Sequence, residues 1–103
     1  MKNVALITGA SSGIGKELAR IHAINGGDLV VVARREEELE NLKIDLEKTY
    51  KIKVVVIPLD LSIYGAGSAL VNEVEARGIE IDYLMNNAGF GGYGEFHNRD
   101  LEK

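Results

Sequence analysis

Four short apolar runs, at residues 3–8 (NVALIT), 29–33 (LVVVA), 53–57 (KVVVI) and 82–86 (DYLMN), alternate with longer segments whose apolar residues recur at helical spacing. The second and third runs are almost continuously apolar and β-branched, the pattern of parallel strands buried on both faces, where strict in-out alternation disappears. Between the first two runs, Ile14, Leu18 and Ile21 follow one another at i, i+4 and i+7, and Gly26-Gly27 ends the pattern. A second helix carries Leu39, Leu42, Leu46 and Tyr50 on one stripe, with Glu36, Glu37, Glu38, Glu40 and Lys43 on its other faces. A third is expected over residues 66–77, with Ala66, Leu70 and Val74 spaced by four and Gly78 closing it; Gly65 and Gly67 blur its start. The order β-α-β-α-β-α-β requires right-handed crossovers and an open parallel sheet, an α/β architecture with no linker or repeat to divide it.

A chain of 103 residues is one domain or part of one, and it buries an adequate core only if the sheet is covered on both faces. Twelve basic and 16 acidic residues give a net charge of −4, which offers no electrostatic footprint for nucleic acid or an anionic membrane. With no cysteine and two isolated histidines, neither a disulfide framework nor a metal site is expected. No basic and apolar leader precedes the first run, and no run nears the roughly 20 residues of a membrane span. The expected setting is the reduced cytoplasm.

The junction between the first strand and the first helix reads Thr8-Gly9-Ala10-Ser11-Ser12-Gly13-Ile14-Gly15-Lys16-Glu17. Backbone N–H groups and the positive end of the helix dipole converge at such a junction, which favours an anion. A P-loop built on Gly15-Lys16 would need glycine where Ala10 stands and a hydroxyl where Glu17 stands. A G-x-G-x-x-G fingerprint starting at Gly13 and Gly15 would put its third glycine on Leu18. The remaining pattern is Gly9-x-x-x-Gly13-x-Gly15 behind Thr8, and a tight turn without a ligand stays open as an alternative.

Taken together, TGASSGIG at residues 8–15, Asp60-Leu61 after the third apolar run and NNAG at residues 86–89 after the fourth resemble the short-chain dehydrogenase/reductase family over essentially the whole chain. The resemblance implies a doubly wound, Rossmann-type parallel sheet with strand order 3-2-1-4 in this N-terminal half. It also implies hydride transfer between a nicotinamide dinucleotide and a small alcohol or carbonyl substrate. Gly9, Gly13 and Gly15 would bring the backbone close to the pyrophosphate. Ser11 would reach the adenosine ribose from a turn that also holds Ser12, and the backbone at Ile14 would meet the nicotinamide side. Asp60 and Leu61 would recognise adenine, with a helix-cap or turn role as the alternative for Asp60 and Ser62 able to serve as that cap instead. Asn87, Ala88 and Gly89 would lie against the cofactor's ribose, and Asn86 is read as an asparagine bonding backbone.

Members that prefer NAD usually carry a carboxylate at the end of the second strand, but this chain reads Val32-Ala33-Arg34-Arg35. Arg34, with Arg35 beside it, suits the 2′-phosphate of NADP(H) and can stack on adenine. The competing reading pairs both arginines with the acids at positions 36–38.

His22 is expected on a helix face. His97 has no carboxylate partner in sequence, and residues 36–40 form a solvated acidic helix start. None of the four tyrosines is followed by lysine four positions on: Tyr50 meets Val54, Tyr64 meets Ser68, Tyr83 meets Asn87 and Tyr93 meets His97. The family's catalytic tyrosine and lysine are therefore expected beyond Lys103, in a segment this chain lacks. A fourth helix is expected to begin near Asn98, and residues 90–96 to form one wall of a substrate pocket. The fourth strand should leave an apolar edge prone to pairing with another copy, and a homo-oligomer is expected. A non-catalytic dinucleotide-binding or interaction module remains the alternative.

Overall fold

A computed structural model of the chain describes residues 1–87. Seven elements follow in order: β1 (Ala5–Thr8), α1 (Gly13–Ile24), β2 (Leu29–Ala33), α2 (Glu36–Tyr50), β3 (Val54–Pro58), α3 (Ala66–Ala76) and β4 (Tyr83–Asn86). The strands form one parallel sheet in the order β3-β2-β1-β4, the order the family resemblance implied. β3 runs one residue later than expected and ends on exposed Pro58; an outer strand tolerates that residue because no second ladder needs its amide.

Successive side chains of the central strands point to opposite faces. Ala5, Ile7, Leu29, Val31 and Ala33 pack with α1 and α2, through Ala19, Ala23, Leu39, Leu42 and Leu46. Val4, Leu6, Val30 and Val32 pack with α3, through Leu70, Val71 and Val74. With a helical layer on each face, β1 and β2 are buried at every position, and their continuous apolar character follows. Among the described strands β4 is the outer one beside β1, and its Tyr83 is half-exposed.

The buried face of α1 differs from the sequence expectation. Ile14 and Ile21 are 69% and 51% exposed, and the face on the sheet is Gly15, Ala19 and Ala23, flanked by half-buried Leu18. Small residues spaced by four let the helix axis approach the strands closely, and larger side chains would hold it away. α2 and α3 bury the predicted stripes, Leu39, Leu42 and Leu46 in one and Ala66, Leu70 and Val74 in the other.

At the N-terminal end of the sheet, carboxylates close the strand amides. Buried Asp28 accepts from the backbone N–H of Lys2 at 2.8 Å and of Lys53 at 2.9 Å, tying the approaches to β1 and β3 to the start of β2. Asp82 accepts from Val4 N–H at 2.8 Å, and Glu47 of α2 accepts from Val54 N–H at 2.9 Å. Burial works against ionisation of Asp28. The backbone bonds from Lys53 and Lys2, with the positive charges of the chain's N-terminus and Lys53, more than offset it and hold the carboxyl below its ordinary value.

Among the described residues, no helix is long and apolar enough to cross a membrane.

Candidate dinucleotide-binding cleft

The C-terminal ends of β1 and β4 are finished with neutral groups and a glycine turn. Gly9 leaves β1 with φ of +65°, a conformation costly for any residue with a Cβ. Its carbonyl oxygen then accepts from Ser12 N–H at 3.1 Å and from the Ser12 hydroxyl at 2.9 Å, which curls the chain into α1. Ser12 is the N-cap, and its Oγ accepts from Gly15 N–H at 3.1 Å. Lys16 N–H reaches the Ser12 carbonyl, while no acceptor among the described residues engages Gly13 or Ile14 N–H. Two amides at the positive end of α1 thus remain available to an anion.

Gly15 has a different reason to be glycine. A Cβ there would lie 2.2 Å from Gly9 O and 2.8 Å from Ala10 Cα, so the helix could not sit against the turn. At Gly13 a Cβ would meet nothing within 4 Å.

β4 holds the turn from the other side. The register sets Thr8 beside Asn86. The buried Thr8 hydroxyl donates to Asn86 Oδ1 at 3.1 Å and accepts from Asn87 N–H at 3.0 Å. Asn87 Nδ2 then donates to Gly9 O at 3.2 Å and to Ser12 Oγ at 2.8 Å. Among the described residues Asn86, expected to bond backbone, bonds the threonine side chain, because parallel pairing brings that hydroxyl alongside.

Around this turn lies a cleft of about 570 Å³ at the carboxyl ends of β1, β2 and β3, where open parallel sheets take ligands. Gly9, Ser11, Ser12, Arg34, Arg35, Asp60, Leu61 and Asn87 all line it. Gly13 and Ile14 lie exposed at the helix start, and Gly15 is buried beneath the turn. Ala88 and Gly89, residues 90–96, His97 and the helix expected near Asn98 lie outside the described residues.

Asp60 does not cap α3, and neither does Ser62: Gly65 holds the N-cap position without a side-chain bond. Asp60 Oδ1 instead accepts from Ser62 N–H at 2.9 Å and from the Ser62 hydroxyl at 2.6 Å. These two bonds, with the nearby Arg34 charge, keep the carboxyl below its ordinary value, so it is ionised at neutral pH. The two arginines separate. Arg35 pairs with Glu38 at 3.1 Å, as the competing reading had it, whereas Arg34 has no ion-pair partner among the described residues.

Glu38, read from sequence as part of a solvated helix start, lines the cleft. The i, i+3 spacing from Arg35 was the available signal. His22 is structural: its ring bonds the Asn3 carbonyl and meets Tyr83 edge-to-face at 5.6 Å. Among the described residues, no group of histidines and acids could hold a metal ion.

Residues 3–103 match the short chain dehydrogenase family. The chain belongs to that family. It is 41% identical over 86 residues to a fatty acyl-CoA reductase of Acinetobacter baylyi, covering 84% of this chain and 29% of that protein. It is 37% identical over 101 residues to a very-long-chain 3-oxoacyl-CoA reductase of Danio rerio, covering 95% of this chain and 31% of that one. Its fold matches L-sorbose reductase of Gluconobacter frateurii, solved with NADPH and L-sorbose. The TM-score is 0.79 at 35% identity, over 86% of this chain and 34% of that one. A short-chain dehydrogenase of Sphingobium yanoikuyae, solved with NADPH, gives a TM-score of 0.74 at 39% identity, over 84% of this chain and 34% of that one. The chain spans about a quarter to a third of the length of the relatives it matches.

Proposed function

We propose that this chain forms the cofactor-binding part of a short-chain reductase that uses NADP(H) and acts on an alcohol or carbonyl substrate. The observation that carries the cofactor preference is Arg34: it lines the cleft directly after small, buried Ala33, and no carboxylate among the described residues lies within ion-pair distance of it, Asp60 feeling its charge from further off. A guanidinium in that position can hold a phosphate bidentately, and an acid competing for ribose hydroxyls is absent from the end of β2.

The residues fit the remainder of the cofactor. The unengaged amides of Gly13 and Ile14, with the dipole of α1 behind them, would hold the pyrophosphate. The Ser11 hydroxyl would serve the adenosine ribose, and ionised Asp60, steadied by Ser62, would accept from the exocyclic amine of adenine. Asn87 locks the turn by bonding Gly9 and Ser12, so the amides are set before the ligand arrives. Bound NADPH supplies the hydride. Two relatives that are reductases and two structural neighbours solved with NADPH support this reading.

Calorimetric titration of the intact protein with NADP+ and NAD+ tests it. NADP+ should bind at least about tenfold tighter, and Arg34→Ala should remove most of that preference while leaving NAD+ affinity within about twofold. Equal binding of both dinucleotides, unchanged in the variant, would refute the assignment. NADPH oxidation with a panel of ketones separates a reductase from a module that binds dinucleotide alone.

A further inference from the structure

Charged side chains in the cleft are balanced: Arg34 and Arg35 against Glu38 and Asp60. The two acids are held differently. Asp60 is committed to Ser62, whereas Glu38 Oε2 faces Arg35 at 3.1 Å and its Oε1 lies 3.9 Å from Lys16 Nζ of α1. One carboxylate therefore spans two helices at the mouth of the site and engages two cations that a phosphate would also attract. Arg35 is 69% exposed and Lys16 44%, so neither is locked in place, and an exposed pair of this kind is weak enough for a dianion to break. Arg35 is also the N-cap of α2 with no side-chain cap bond, so its movement sacrifices no cap.

We propose that Glu38 is the resident counter-ion of the cleft: it holds Arg35 until a 2′-phosphate displaces it, and so lowers affinity for the phosphorylated nucleotide specifically. This rests on the NADP(H) reading and deepens it. Glu38 acts through Arg35 as a positioning residue, and it sets how readily the phosphorylated cofactor is released. Arg34, with no carboxylate partner among the described residues, supplies the permanent contact, and Arg35 supplies one that must be won from Glu38.

The test is a double-mutant cycle read by calorimetry, with adenosine 2′,5′-bisphosphate and adenosine 5′-monophosphate as probes. Glu38→Gln, which keeps shape and removes charge, should raise affinity for the bisphosphate about fivefold, at least about threefold more than for the monophosphate. In the Arg35→Ala background the same substitution should give no selective gain. A purely structural role in bridging α1 and α2 would change both probes alike and would survive removal of Arg35, and that result would overturn the proposal. Wild-type protein that binds neither probe would overturn the dinucleotide reading as well. Wild-type protein that prefers the bisphosphate, with Glu38→Gln giving no further selectivity, would overturn this inference alone.

Discussion

At the N-terminal ends of the strands the chain closes its own amides with charge: Asp28 on Lys2 and Lys53, Asp82 on Val4 and Glu47 on Val54. At the C-terminal ends of β1 and β4 it uses neutral hydroxyls and amides, Thr8, Ser12, Asn86 and Asn87, and leaves the Gly13 and Ile14 amides of α1 without an acceptor among the described residues. Both ends face the same requirement, since a backbone donor taken from water must find an acceptor. An internal carboxylate meets it permanently and repels an incoming anion; a neutral frame steadies the backbone and leaves room for one. The contrast assigns stability to one end and binding to the other, and substitutions can separate the two.

The largest effect is expected where the binding end borrows from the fold. Gly15→Ala puts a Cβ 2.2 Å from backbone oxygen, and the nearest atoms belong to the main chain, which cannot rotate away. The expected loss is about 3 kcal/mol or more, read from the thermal melt by circular dichroism. A variant that melts with the wild type would show that α1 is not held by this close contact.

At the closed end, Asp28→Ala strands two buried-end amides and should cost about 3 kcal/mol in urea unfolding. Because the folded carboxyl sits below its ordinary value, its stabilisation is complete above roughly pH 4 and fades as pH falls through the folded value. Asp28→Asn should flatten that acid-side slope without altering nucleotide affinity. A change in affinity would break the division between the two ends.

The smallest stability effect, and the sharpest functional one, is expected at Gly13. Its missing Cβ would enter open space, so Gly13→Ala should leave the melt unchanged or stabilise by at most about 1 kcal/mol. On the proposed reading the same methyl would crowd a pyrophosphate held by these amides, and NADP+ affinity should fall about tenfold. Undiminished affinity would move the ligand away from this helix start.

Much of this was legible along the chain. Apolar β-branched runs located all four strands to within two residues at each end, and the glycine spacing singled out the turn that borders the cleft. The buried face of α1 was misread, because Ile14 and Ile21 outrank Gly15, Ala19 and Ala23 in hydropathy, while contact with a sheet rewards small size. The pairing of Arg35 with Glu38 was open in the sequence, but its place in the cleft was not: an acid in a first helical turn is accounted for by the dipole, and i, i+3 spacing does not show which cavity the pair lines.

Local pattern therefore determined which segments are strands and helices and where the chain turns, because backbone preference and periodicity act over a few residues. Tertiary structure decided which residues meet. Asn87 bonds Gly9 and Ser12 across 78 and 75 positions only because β4 pairs with β1 in the register that sets Thr8 beside Asn86. Strand order is set by how buried faces pack over the whole sheet, and no periodicity within a single segment records it.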